Sequence, residues 1–229
     1  CIEMGSRRTN EYAAVAAARA AYIAGFASPS NLEAGHRYGT PTTGTAAHSF
    51  TLLHDSEEEA FKAQLKTLGR GTTLLVDTYD IEEAVRTGVR LSKGRLGAIR
   101  LDSGDLAEQA ADVRKLLDSL GATQTRIVVT SDLDEFQIAA LRGAPVDGFG
   151  VGTSLVTGSG APTCGFVYKL VARASSDKKD AELLPVAKKS IDKVSVGGRK
   201  YALRVEPAQG RAEAEVIGIG APPADDGND

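Results

Sequence analysis

Four short β-rich runs each end in residues able to bind or polarise oxygen. "TTLLVDTYD" ends in Asp77-Thr78, and "LGAIRLDSGD" in Arg100-Leu101-Asp102-Ser103-Gly104-Asp105. "TRIVVTSDLD" ends in Thr130-Ser131-Asp132, and "VDGFGVGTS" in Gly150-Val151-Gly152-Thr153-Ser154. Glycines let main-chain N–H groups approach phosphate oxygens, and the Thr153 and Ser154 hydroxyls add donors, so the last run reads as a phosphate cradle. Asp77, Asp102 and Asp132 suit sugar hydroxyls or the waters around Mg²⁺, a hard ion that keeps several waters. Strand alternation puts Arg100 and Asp102 on one side, opposite Leu101, as a structural ion pair or as a clamp for an anionic substrate. Asp105 and Asp134 read instead as N-caps of the helices that follow. These residue types point to an enzyme acting on a phosphorylated sugar.

A second candidate is His48, in "TGTAAHSFTLLH", just inside the start of an apolar helix. Spacing alone leaves two readings open, a histidine satisfied within the structure or a chemical group, and His36 and His54 are equally plain alternatives.

The elements that must position these residues follow a repeating pattern. "NEYAAVAAARAAYIAG" reads as a helix with Tyr12, Val15, Ala16 and Ile23 on one face and Gly25 at its end. "FASPSNLEAGHRYGTPTTG" reads as a loop, followed by the His48 helix and a helix over "SEEEAFKAQLKTLG" that Ser56 caps. Thereafter strands and helices alternate: "IEEAVRTGVRLSKG" carries a Glu82–Arg86 pair, and Leu106, Ala110, Val113, Leu117 and Leu120 line one face of the next helix. "EFQIAALRG" is a short third helix, and "VTGSGAP" continues the fourth strand's end as a glycine-rich loop. Strands joined by crossover helices run parallel, so their carboxyl ends open on one face, where ligands bind in such folds. The fold class is α/β, an irregular (β/α) barrel with a β-rich C-terminal extension built from "YKLVARASS", "LLPVAKKSI" and "SVGGRKYALRVEP". The reading divides the chain into a barrel domain over 1–170, the extension over 171–210 and a disordered Pro-, Gly- and Asp-rich tail over 211–229.

Bulk properties narrow the partners. The 229 residues carry a net charge of −3, which offers no basic field for nucleic acid and no polybasic patch for a membrane. The two cysteines, Cys1 and Cys164, provide neither a disulfide framework nor a zinc spacing, which fits a reducing cytoplasm. No run of 18 apolar residues occurs, and the first residues, CIEMGSRRTN, lack the charged-then-apolar layout expected of a signal peptide. Because "CIEM" reads as the inside of a strand, the chain is expected to be a piece of a longer protein.

Seven segments, "EMGSRR", "GTAAHSF", "LLVDTYD", "IRLDSGDL", "VVTSDLDE", "FGVGTSLVT" and "PVAKKSIDKVSVGGRK", resemble the nicotinate phosphoribosyltransferase family in order and separation. The resemblance implies a reaction in NAD salvage. Nicotinate and 5-phosphoribosyl 1-diphosphate (PRPP) give nicotinate mononucleotide and diphosphate, driven by hydrolysis of ATP to ADP and phosphate. It also implies an irregular barrel flanked by a second domain, largely missing here, and a homodimer with Mg²⁺ as cofactor.

Matched residue by residue, the resemblance makes His48 the phosphohistidine. Arg100 and Asp102 fall in the motif beside the pyridine and the donor, and Ser131 and Asp132 in the stretch that contacts ribose. Gly150, Gly152 and Thr153 fall in the 5′-phosphate loop, Arg7 beside the ring, and Ser30 and Asn31 in the loop against the ring's substituent. Met4 and Pro29 depart from residues expected in some relatives. The rival readings are a nicotinamide phosphoribosyltransferase, expected to carry an acid where Asn31 stands, a quinolinate phosphoribosyltransferase, which needs no His48, and a non-catalytic barrel fragment serving as a dimerisation module.

Overall fold

A computed structural model describes residues 1–161, 163–191, 194–206 and 212–224. Two compact units divide the chain, Cys1–Thr163 and Cys164–Asp229. The first opens with β1 (Ile2–Glu3), a 3₁₀ turn (Ser6–Arg8) and α1 (Glu11–Ile23). β2 (Ser28–Pro29), α2 (Leu32–Tyr38), α3 (His48–Leu52) and α4 (Glu57–Leu68) follow. The strand–helix rhythm then runs through β3 (Thr73–Leu75), α5 (Ile81–Ser92), β4 (Ala98–Leu101) and α6 (Leu106–Ser119). It ends with β5 (Arg126–Val129), α7 (Glu135–Ala140), β6 (Gly148–Val151) and α8 (Thr153–Thr157).

The six strands form one sheet in the order β2-β1-β6-β5-β4-β3, every neighbouring pair parallel. It is the half-barrel of an α/β fold, as expected from the sequence. Period-2 alternation divides its two faces. Leu74, Val76, Ile99, Leu101, Ile127 and Val129 turn toward the helices and form the main core with Phe61, Val85, Val89, Val113 and Leu117. Each such side chain, fully buried, contributes about 1.5–3 kcal/mol of transfer free energy. The other face carries Arg100 in register with Leu75 and Val128, so the polar residues two positions further along emerge together at the carboxyl edge. Side chains fix the helix starts: Asn10, Asn31, Ser56, Asp80, Asp105 and Asp134 each accept first-turn N–H groups.

Three local expectations are corrected. α1 buries Ala14, Val15, Ala18 and Ala21, whereas Tyr12 and Ile23 are exposed: the alanine face lets the helix approach β2 and α2 closely, and the bulkier ends turn outward. The segment read as a loop contains β2 and α2, because Asn31 caps α2 and Gly39, at φ 67°, ends it. The glycine-rich loop after β6 begins as the short helix α8, and Pro162 at its end lies outside the described residues.

The second unit contains two antiparallel hairpins. One pairs β7 (Ala172–Ala174) with β8 (Leu183–Pro185), and the other pairs β9 (Lys200–Val205) with β10 (Ala214–Ile219). β10 corrects the expectation of a disordered tail from residue 211: its β-branched Val216, Ile217 and Ile219 favour a strand, and Glu215 pairs across to Arg204 at 2.6 Å. Residues 192–193, within a quoted motif, and residues 211 and 225–229 of the expected tail lie outside the described residues. Among the described residues no helix is long and apolar enough to cross a membrane.

Candidate functional site

At the carboxyl edge of the sheet lies a cleft of about 500 Å³. Its lining includes Arg7, Ser30, Arg100, Asp102, Ser131, Asp132, Gly150, Gly152 and Thr153, nine of the residues singled out in the sequence. Met4, Arg8, Thr45, Ala47 and Thr130 complete much of the wall. Asn31 is not part of the lining: its Oδ1 accepts the Ala34 N–H of α2 and its Nδ2 donates to Ser6 Oγ at 3.0 Å, so the side chain is committed to the cap. His48 is likewise not part of the lining: it follows the lining residue Ala47, and its side chain makes one hydrogen bond among the described residues, to Asp77.

Arg100 is held from three directions. Its Nε donates to Thr130 Oγ1 at 2.8 Å, Nη1 to Thr45 Oγ1 at 2.7 Å, and Nη2 to Asp102 Oδ1 at 2.6 Å. The ion pair is therefore formed, and the guanidinium lies on the cleft wall with its orientation fixed. Burial pushes the Asp102 carboxyl up, but the Thr130 hydroxyl, the Arg100 guanidinium and the His48 ring together outweigh it and hold the group below the usual carboxylate range. The Thr130 hydroxyl also donates to Asp102.

Behind this pair, Asp77 binds three donors. Oδ1 lies 3.0 Å from His48 Nε2, while Oδ2 accepts the Asp102 N–H at 2.8 Å and the Ser103 hydroxyl at 3.0 Å. A carboxylate only accepts, so the Nε2 of His48 carries the proton and Nδ1 keeps the lone pair in the neutral ring. Asp77 does not reach ligand as the sequence reading allowed, since its side chain is 2% exposed and serves these protein donors. His48 is 40% exposed and open to a partner.

The opposite wall comes from the turn after β1 and the end of β6. The Met4 N–H donates to Val151 O at 2.7 Å, and the chains approach so closely that a Cβ at Gly150 would lie 2.5 Å from Thr130 Cγ2. Gly150 is thus required by packing as well as by access. No side chain caps α8, so its first N–H groups remain available to a ligand's oxygens. The Arg7 and Arg8 side chains make no hydrogen bond or ion pair among the described residues, which leaves two cations on the wall for an anion. Asp132 accepts from Thr153 Oγ1 at 3.3 Å. Ser131 sits at φ 143°, a region that L-residues rarely adopt, at the mouth of β5.

Sequence reasoning missed Arg8, Thr45 and the role of Asp77. Asp77 was legible as a strand end, but its partner comes from α3, and nothing in the spacing links residues 48 and 77. Three side chains suited to one metal ion do not converge among the described residues. Asp102 and Asp132 are the carboxylates of the cleft lining.

A parallel α/β half-barrel with an arginine-lined cleft at its carboxyl edge is the class that fold and site define. No protein-family model matches the chain. Named relatives do: it is 58% identical over 231 residues to nicotinate phosphoribosyltransferase pncB1 of Mycobacterium tuberculosis, covering 97% of this chain and 50% of that protein. It is 40% identical over 213 residues to nicotinate phosphoribosyltransferase of Bacillus subtilis, covering 89% of this chain and 43% of that protein. Among solved structures, human nicotinic acid phosphoribosyltransferase superposes with a TM-score of 0.59 at 25% identity, over 98% of this chain and 53% of that one. The chain belongs to the nicotinate phosphoribosyltransferase family and spans about half the length of the curated relatives it matches.

Proposed function

We propose that this chain carries the phosphoribosyl-transfer site of a nicotinate phosphoribosyltransferase acting in NAD salvage. In this reading the C1–oxygen bond of PRPP breaks, diphosphate departs, and the nicotinate ring nitrogen forms the new bond to C1, giving nicotinate mononucleotide. The observation that carries the reading is the pair of unpartnered arginines, Arg7 and Arg8, on the same cleft as the Gly150–Thr153 loop, in a chain 58% identical to a named nicotinate phosphoribosyltransferase.

The residues divide the work by their chemistry. The Gly152–Thr153 main chain and the Thr153 hydroxyl suit the 5′-phosphate, Asp132 and Ser131 the ribose hydroxyls. Arg7 and Arg8 supply positive charge for the nicotinate carboxylate or the diphosphate, and Arg100, locked by Thr45, Thr130 and Asp102, presents a rigid donor group with no reorganisation during reaction. Because little covalent chemistry is asked of the protein, positioning and fixed charge provide the catalysis. Mg²⁺, when bound, neutralises the departing diphosphate, with Asp102 and Asp132 as the carboxylates able to hold it.

ATP coupling belongs to the same proposal. His48 Nδ1 attacks the γ-phosphorus, the bond to ADP breaks, and water later hydrolyses the phosphohistidine. The Asp77 carboxylate stabilises the charge the ring gains in that step. The added phosphate charge sits beside the cleft and biases it between states of different substrate affinity.

The test supplies the chain with PRPP, Mg²⁺, ATP and equal nicotinate, nicotinamide and quinolinate. Nicotinate mononucleotide is the expected product, and γ-labelled ATP is expected to label the wild type but not His48→Ala. Histidine-linked label that persists in the variant, or product from nicotinamide or quinolinate in preference, refutes the reading.

A further inference from the structure

Glu3 is the one acidic residue among the described residues whose side chain is fully buried, at 0% exposure, and the reaction above does not use it. It is the last residue of β1, next to Met4, which lines the cleft. Strand alternation puts the two side chains on opposite faces of the sheet, so Glu3 points away from any ligand. Its Oε1 accepts the Gly5 N–H, and its Oε2 is buried without a partner among the described residues. An unpaired acid in such a place is costly compared with a hydrophobe of the same size, which asks what the side chain holds.

What it holds is the turn that carries the two arginines. Gly5 N–H has Glu3 as its partner, and Gly5 O accepts the Arg8 N–H at 2.8 Å, so both polar groups of Gly5 are fixed. A Cβ at Gly5 would lie 2.2 Å from Val156 Cγ1, so the turn is also pressed against α8. The geometry points to Glu3 as a positioning residue, which anchors the Gly5–Arg8 turn through the Gly5 N–H and so sets where Arg7 and Arg8 stand in the cleft.

Burial pushes the Glu3 carboxyl above its ordinary range, against the smaller opposing effect of the Gly5 N–H. What the Gly5 N–H requires of residue 3 is an acceptor of the right reach, not a negative charge. The importance of this for catalysis rests on the proposed role of Arg7 and Arg8.

Two readouts on the whole chain separate the claims: hydrogen exchange at the Gly5 amide, followed by NMR, and binding of inorganic diphosphate by calorimetry. Glu3→Gln keeps the reach and loses only the charge, and is expected to retain Gly5 protection and diphosphate affinity within about threefold. Glu3→Asp keeps the acid but is one methylene shorter, and is expected to speed Gly5 exchange and weaken diphosphate binding by about tenfold each. The reverse order, Asp rescuing and Gln failing, overturns the inference, as does unchanged Gly5 exchange in Glu3→Asp. Wild-type protein that fails to bind diphosphate refutes the anion role of the arginines, while Gly5 exchange still decides the role of Glu3.

Discussion

Replacing Asp77 by Asn is expected to reverse the proton on His48 rather than remove the hydrogen bond. Asp77 meets three donors, His48 Nε2–H, the Asp102 N–H and the Ser103 hydroxyl. An Asn offers one acceptor oxygen and an NH₂ group. With the oxygen toward Asp102 and Ser103, the NH₂ faces Nε2, which must then accept, and the ring proton moves to Nδ1. The opposite orientation sets the NH₂ against the Asp102 N–H in a site only 2% exposed. That leaves a buried donor unsatisfied at about 1–3 kcal/mol, so the first orientation dominates by roughly five- to a hundredfold. The nitrogen that should attack phosphorus thereby loses its lone pair, and phosphoryl transfer to His48 is expected to fall by about 10²–10⁴. The tautomer can be read without any activity, by NMR of ¹⁵N-histidine protein at pH 8, with His36 and His54 assigned by substitution. A ring in Asp77→Asn that still carries its proton on Nε2, with Nδ1 unprotonated, refutes the reasoning.

Other perturbations address stability. Burial, then the charges of Glu83 and Asp80, push Glu57 from its ordinary 4.5 up to about 7. A carboxyl raised on folding contributes stability that is complete below about pH 4.5 and lost as pH rises through about 7. Because the residue is only half-buried, the loss is about 1 kcal/mol, and Glu57→Gln is expected to raise Tm at pH 8 by about 2–4 °C but not at pH 4. An equal shift at both values refutes it. Ser131→Gly relieves the φ of 143° and is expected to stabilise the fold by about 1 kcal/mol in thermal melts while weakening PRPP binding; a fall in Tm shows that the backbone is not strained there. Lys93 ends α5 in the left-handed region at φ 57°, and Lys93→Gly is expected to gain about 0.5–1 kcal/mol in chemical denaturation, with Lys93→Ala gaining nothing.

What was legible in the sequence is what depends on a short period. Alternation along β4 predicted that Arg100 and Asp102 share a face, and the ion pair at 2.6 Å follows from it. The caps at Ser56, Asp105 and Asp134 were legible because a cap involves only residues two or three apart. α2 was missed although Asn31 and Gly39 were its signals, because a helix of seven residues carries too little apolar periodicity to stand out from a loop. The contacts that sequence could not supply all cross between elements: His48 with Asp77, Arg100 with Thr45, Gly5 beneath Val156. Each depends on sheet register, which places Leu75, Arg100 and Val128 side by side and so brings the residues two further along to one edge. The register also explains where Asn31 stands. Ser30 continues the row of β2 and reaches the cleft, whereas the next residue turns to the other side, where its side chain caps α2 and binds Ser6. Any discrimination between acid and amide substrates by Asn31 must therefore act through the Ser6–Arg8 turn, the same turn that Glu3 anchors from the opposite face. A substitution at residue 31 that alters substrate preference should then also change the exchange of the Ser6 to Arg8 amides. A change of preference with those amides unaffected would mean that residue 31 acts on the ring directly.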